Sequence, residues 1–172
     1  MKKNKFPKNA KRVFKGVIFD VYQWRQKMFN NTYETFEGLT RADTVEVIGV
    51  TKDKKIIIQE QRQPDTSWFT SLPGGRMEKG ESPTQAAKRE FLEETGYQIN
   101  KLKLFKKIEP WQKLDWSMYF YIAHDVEKVS KPTPDPGEKL RVKLISFDQF
   151  VKLSDDSNFR SSEIVNYLLS NA

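Results

Sequence analysis

Residues 83–95 form a helix whose two ends are both written into the chain, and that helix fixes what the rest can be. Ser82-Pro83-Thr84-Gln85 is a capping box with proline at the first helical position. Gly96 stands where a left-handed C-terminal cap belongs. On both sides the pattern is that of strands. Segments 13–24 and 33–36 precede the helix, then β-branched runs 44–50 and 55–60 joined by Lys52-Asp53-Lys54, a plausible hairpin. Segments 99–108, 116–126 and 140–147 follow it, and short helices over 147–153 and 160–170 end the chain, the last with Ile164, Val165, Leu168 and Leu169 at helical spacing. Lys131-Pro-Thr-Pro-Asp-Pro-Gly137 holds three prolines in five residues, so it is a loop. One long helix among strands must bury a face on a sheet, so the expected architecture is α+β or α/β/α, with a mixed β-sheet.

The helix breaks local rules. Glu90, Glu93 and Glu94 fall within an arc of about 100° at 3.6 residues per turn. Like charges at such spacings cost roughly 0.2–0.5 kcal/mol per pair. Acids in the last turns also oppose the helix dipole, by about 0.3–1 kcal/mol each. No Lys or Arg stands four residues after Glu90 or Glu93 to relieve them, while Ala87 and Phe91 mark the core-facing side. An ordinary solvated acidic face is the bland alternative. Against it, the helix follows Leu72-Pro73-Gly74-Gly75, a loop whose glycines let backbone approach a ligand closely. Local rules broken in one place mark function. Clustered hard oxygen ligands suit Mg²⁺ or Mn²⁺, which in turn suit phosphate oxygens.

The net charge of +7 invites a nucleic-acid reading, so its position matters. Lys2, Lys3, Lys5, Lys8, Lys11, Arg12 and Lys15 lie in residues 1–15 with no acid among them; the remainder balances 23 basic residues against 23 acids. The excess is a basic tail, able to add salt-sensitive attraction to polyanions, so a nucleic-acid partner is disfavoured without being excluded. The absence of cysteine removes disulfides, thiolate metal sites and a Cys nucleophile. No apolar run reaches membrane-spanning length, and no hydrophobic segment follows the basic start, so the expectation is a cytoplasmic protein with no membrane partner.

Gly75, Glu81 and Arg89-Glu90-Phe91-Leu92-Glu93-Glu94-Thr95-Gly96-Tyr97 resemble a complete Nudix box, with all seven fixed identities at the family's spacing. Phe91 and Tyr97 stand where aliphatic residues are usual. The resemblance implies a Nudix α/β/α sandwich and an enzyme that hydrolyses phosphoanhydrides with Mg²⁺, or Mn²⁺, as cofactor. It implies Glu90 and Glu94 as main metal ligands, Glu93 beside them, and the Gly74 carbonyl completing the shell. Arg89 would pair with Glu81 or Glu93 to hold loop and helix together. Domain bounds on this reading are a tail over 1–15, N-terminal strands over 16–40 serving as a dimerisation element, and the Nudix domain over 41–172.

Outside the box, Asp135-Pro-Gly-Glu138 resembles the catalytic loop of ADP-ribose pyrophosphatases, which makes Glu138 the candidate general base; a loop surface charge is the alternative. Gln59-Glu-Gln-Arg62-Gln-Pro64 is similar to the strand that carries a phosphate-binding Arg in that subgroup, and Arg62 is taken as that residue. Arg41 is a further candidate phosphate contact and Gly75 a close backbone approach to substrate. Trp68, Trp111 and Trp116 offer stacking faces for a base, or simply packing. His124, the one histidine, reads as a surface or structural residue. The proline that the subgroup carries sixteen residues past the box is absent; Pro110 stands thirteen past Tyr97. The substrate implied is ADP-ribose or a related nucleoside diphosphate sugar, and the partner implied is a second copy in a homodimer. Alternatives are a nucleoside triphosphate, a dinucleoside polyphosphate or an RNA 5′ end as substrate, or a non-catalytic Nudix-fold binding module, although such modules carry a degraded box.

Overall fold

A computed structural model describes residues 5–110 and 113–171; Lys2, Lys3 and Trp111 lie outside the described residues. Strands β1 (Lys11–Lys15), β2 (Asp20–Lys27), β3 (Tyr33–Thr40), β4 (Thr44–Thr51), β5 (Ile56–Arg62), β6 (Phe69–Ser71) and β7 (Gly74–Arg76) lead into helix α1 (Pro83–Thr95). They are followed by β8 (Tyr97–Gln98), β9 (Lys101–Ile108), β10 (Leu114–Asp115), β11 (Met118–Lys128) and β12 (Lys139–Ile145), then helices α2 (Phe147–Lys152) and α3 (Ser162–Ser170).

Helix α1 has the ends its sequence demands. The Ser82 side chain accepts from Gln85 N–H, the Gln85 side chain accepts from the Ser82 backbone, and Gly96 takes the left-handed conformation with its N–H donating to Leu92 O. The last turn holds no basic residue of its own. Lys128 of β11 supplies the missing cation, donating from Nζ to Thr95 O, where the helix dipole favours positive charge.

An eight-stranded mixed sheet has the path β12-β5-β4-β11-β8, with β6, β7 and β9 attached. Within it β4 and β11 run parallel, while the β5–β12 and β9–β11 pairs are antiparallel. The two-residue side-chain period of β4 divides its burial. Val45 and Val47 join Ala86, Ala87 and Phe91 in a core under α1, while Ile48 joins Phe150, Ile164 and Val165 in a second core under α2 and α3. Helices on both faces of one mixed sheet are the expected α/β/α sandwich. Phe91, wholly buried, lies on Gly49, where an added Cβ would stand 2.3 Å from its ring. The aromatic residue in an aliphatic position is accommodated by the absence of a side chain on the strand beneath it.

Two expectations need correction. Segment 13–24 is two strands, because a tight turn at 16–19 reverses the chain, with Gly16 N–H donating to Phe19 O and to the Asp20 carboxylate. Residues 11–15 are therefore not tail but β1, antiparallel to β2. The N-terminal strands also build a sheet of their own, four-stranded in the order β1-β2-β3-β10. It is joined to the sandwich by β10, parallel to β3, and by Ser117, whose N–H donates to Asp43 Oδ1 and whose carbonyl accepts from Thr44 N–H. No helix among the described residues is long and apolar enough to cross a membrane.

Behind the sheet, the C-terminal segment clamps the strand that leads to the catalytic-type loop. Thr70 N–H donates to Asn158 O, Arg160 N–H to Thr70 O, and Leu72 N–H to the Ser161 hydroxyl. With Phe91 fully buried, truncation to alanine should cost about 3–5 kcal/mol. Urea denaturation of Phe91→Ala against the parent protein measures it, and a loss below 1 kcal/mol would mean that the α1 core is not packed as described.

Candidate functional site

The site begins where the 72–75 loop meets α1. Pro73 O accepts from Val47 N–H at 2.9 Å, which seats the loop on β4. Gly74 then takes φ +156, and a Cβ there would stand 2.1 Å from Val45 O. Only glycine fits both conditions. Its N–H donates to Glu94 Oε2 at 2.7 Å. At Gly75 the room a Cβ would need is taken by the Glu90 carboxyl, 2.6 Å away. The two glycines thus make space for the two carboxylates implied as metal ligands.

Arg89 is the hub of the charge arrangement. Its Nε and Nη2 donate to the two oxygens of Glu81 at 2.9 and 3.0 Å, a bidentate pair. Its Nη1 reaches Glu93 Oε2 at 3.0 Å and Glu90 Oε1 at 2.9 Å, and Nη2 also donates to Arg76 O. The sequence left open whether Arg89 joins Glu81 or Glu93; it holds both, and Glu90 as well. Its hydrogen bonds keep the Glu81 carboxyl below its ordinary pKa and raise its own above that of a free guanidinium.

The acidic trio is therefore compensated in part, from the preceding residue and not from the following turn. Glu94 is the exception. It is 6% exposed, and among the described residues no cation lies within ion-pair reach of it. Burial pushes its carboxyl up to about 8, aided by the charges of Glu90 and Glu138 and opposed by the Gly74 N–H and the Gln59 amide. Glu90 is also raised, by burial first and then by Glu93 and Glu138, with Arg89 opposing.

These groups line a cavity of about 550 Å³. Glu90, Glu93, Glu94 and Glu138 line it, and Arg41, Arg76 and Arg89 contribute the opposite sign. The proline-rich loop reaches the cavity because the end of α1 anchors it. Gly96 O accepts from the N–H groups of Val129 and Ser130, and Glu93 O accepts from Thr133 N–H at 2.7 Å. Glu138 arrives half-buried, its carboxyl raised by burial first and then by Asp135, with the Gln63 side chain opposing.

Other expected residues divide. Arg41 lines the cavity, its guanidinium 4.6 Å from the Trp116 ring centroid and 5.5 Å from that of Phe19. Its Nε is buried without an acceptor, and burial followed by Arg76 lowers its pKa. Trp116 supports Arg41 and donates from Nε1 to Thr44 Oγ1. Arg62 does not line this cavity; exposed, it donates from Nε to Thr66 O within its own turn. Trp68 is also away from it, with Arg141 lying 4.3 Å over its ring. His124 is exposed on β11. Sequence reasoning missed Gln59, Gln63 and Arg76. For Gln59 a signal existed: with Ile57 it occupies alternate positions on a β5 face that begins apolar, and it is fully buried, its amide donating to Glu94 Oε2, Ser71 Oγ and Leu72 O.

The donor set fits a hard divalent cation. Glu90, Glu93 and Glu94 each commit one oxygen to protein donors and leave the other with no hydrogen bond among the described residues. Two of the three have a raised proton affinity, which either a proton or a cation relieves. Among the described residues no three acidic or histidine side chains already converge on one point.

A family model described as NUDIX domain matches residues 40–168. The chain is 36% identical over 92 residues to the ADP-ribose pyrophosphatase of Bacillus subtilis (strain 168), a match covering 53% of this chain and 50% of that protein. It thus spans about half the length of that relative. It is 26% identical over 165 residues to the ADP compounds hydrolase NudE of Escherichia coli (strain K12), covering 93% and 87% of the two chains. A crystal structure of an ADP compounds hydrolase shares the fold, with a TM-score of 0.76 over 96% of this chain and 94% of that one at 21% identity.

The raised Glu94 carboxyl has a consequence for stability. The folded state keeps a proton that the unfolded state releases near pH 4.5, so stability should fall as pH rises from 4.5 to about 8. Urea midpoints across that range in chelator-containing buffer should show the fall in the parent protein and a weaker one in Glu94→Gln. Parallel pH profiles would contradict the assignment.

Proposed function

The chain belongs to the Nudix family, and we propose that it hydrolyses the pyrophosphate of a nucleoside diphosphate derivative, with ADP-ribose or a related nucleoside diphosphate sugar as substrate. The observation that carries this reading is a single cavity lined by Glu90, Glu93, Glu94 and Glu138 together with Arg41 and Arg76. The names of the Bacillus and Escherichia relatives support the choice of substrate.

Glu90 and Glu94 would hold Mg²⁺ or Mn²⁺, with Glu93 and the Gly74 carbonyl beside them. Such an ion neutralises the diphosphate and acidifies a water. The chain's own residues do the rest. Arg89 fixes the carboxylates and ties the Glu81 segment to α1. Glu138, made more basic by burial, takes the proton of the attacking water. Arg41, stacked and without a carboxylate partner among the described residues, offers donors to a phosphoryl oxygen of the substrate. Gly75 gives the diphosphate close access to backbone.

We infer a homodimer through the N-terminal sheet. Val17 (95% exposed), Ile18 and Phe19 project from the β1–β2 turn, and Ile18 also borders the cavity. A second copy covering that turn would reach the site.

A panel of nucleotides with Mg²⁺, resolved by chromatography, tests the substrate. ADP-ribose yielding AMP and ribose 5-phosphate is expected, and a preference for nucleoside triphosphates would refute the choice. Glu94→Gln should abolish measurable turnover, and Glu138→Gln should lower kcat by ~10²–10⁴. Arg41→Ala should act chiefly on KM, raising it about tenfold or more, as expected for loss of a charge-assisted hydrogen bond.

A further inference from the structure

We propose that Gln59 is a positioning residue for Glu94, turning one chosen oxygen of that carboxylate toward the cavity; this rests on the reading of Glu94 as a metal ligand. Two donors converge on the other oxygen, Oε2: Gly74 N–H at 2.7 Å and the Gln59 side-chain amide at 3.2 Å. Oε1 is thereby the atom left free for a cation. Gly74 precedes α1 in the chain and Gln59 lies on β5, so the carboxylate is held from two separate elements. One donor would let it swing about a single bond; two from different directions fix its plane.

Strand pairing puts Gln59 in place. It stands opposite Ser71 of β6, on the face that carries Ile57 under α1, and is wholly buried. Its Nε2 group has two protons and three acceptors within reach: Glu94 Oε2 at 3.2 Å, Ser71 Oγ at 3.3 Å and Leu72 O at 3.4 Å. Ser71 Oγ already accepts from Gln61 Nε2 at 2.7 Å. Glu94, once a cation is bound, is the one charged acceptor of the three. The opposite end of the amide has no donor: Gln59 Oε1 is buried and unpartnered among the described residues. Buried polar atoms seldom go unpaired. Turning the amide over would not mend this, because Oε1 would then face the Glu94 carboxylate, acceptor against acceptor. The oxygen is orphaned because Nε2 is aimed at Glu94, an arrangement that packing alone does not require.

Mn²⁺ titrated into the full chain, with free Mn²⁺ followed by electron paramagnetic resonance, reads the site without turnover. Gln59→Met keeps the length and removes the donor. It should weaken Mn²⁺ binding about 10–100-fold, the loss expected when a ligand's supporting partner is removed. Gln59→Asn keeps the amide but shortens its reach by one methylene, and should weaken binding in the same direction. Gln61→Met removes the neighbouring buried bond to Ser71 without touching Glu94, and should stay within about twofold of the parent. Circular dichroism identifies the folded variants. Either folded Gln59 variant binding Mn²⁺ within about twofold of the parent would overturn the positioning role alone. So would a Gln61→Met loss equal to that of Gln59→Met, since disturbance of β5 and β6 would then suffice. Glu94→Gln binding Mn²⁺ as tightly as the parent would instead remove Glu94 as a ligand, and the proposal with it.

Discussion

The hydrogen bond from Gly74 N–H to the buried Glu94 carboxylate is the point on which the site depends. It joins the loop to the helix, and each partner is constrained by the sheet beneath. Gly74 can donate there only because its backbone adopts a conformation closed to other residues and presses on Val45 O. Glu94 can be buried only because Phe91, one turn earlier, seats α1 on Gly49 of β4. The clamp of Leu72 by Ser161 holds the same loop from the other face. Packing on both sides of one sheet thus sets the position of a single carboxylate.

Charge is distributed around that bond unevenly. Arg89 satisfies Glu81 and reaches Glu90 and Glu93, which turns a repulsive helix face into a network. Among the described residues, Glu94 receives only a backbone N–H and an amide, both neutral. A buried carboxylate with neutral donors and acidic neighbours is costly to ionise. The network lowers that cost around Glu94 without removing it at Glu94 itself. A divalent cation bound there, as the proposed function has it, would remove that cost. Stability without the cation is correspondingly reduced above the pKa of that group.

What the sequence made legible followed from how local each signal is. The bounds of α1 were readable because capping is decided by residues within four positions, and the same holds for the proline-rich loop. Strands around one helix left α+β and α/β/α open, and the resemblance to the box chose the sandwich. The strands β6, β7, β8 and β10, of two or three residues each, carry no period and exist because neighbours pair with them. The misplaced Arg62 has a sharper cause. Side chains alternate along β5, and the face that carries Ile57 and Gln59 toward α1 continues at Gln61 and Gln63. Arg62 necessarily points the other way, and a one-position difference reverses the face. The relief of the glutamates is just as local: it comes from Arg89, the position before Glu90, and not from four residues downstream.

Arg41 shows where the box ends as an explanation. It belongs to the link between β3 and β4, and its guanidinium is aimed by rings from two different places, Phe19 beside the β1–β2 turn and Trp116 between β10 and β11. Those places come together only because β10 pairs with β3 and joins the N-terminal sheet to the sandwich. The carboxylates come almost wholly from the loop and helix of the box, whereas the placing of Arg41 also depends on how the two sheets are joined. The two can therefore vary separately. The β1–β2 turn and β10 reach Arg41 and make no contact in the Gly74–Glu94 hydrogen bond. If the proposed function holds, discrimination among nucleoside diphosphate derivatives would reside in the junction of the sheets, and the capacity to hold a diphosphate in α1.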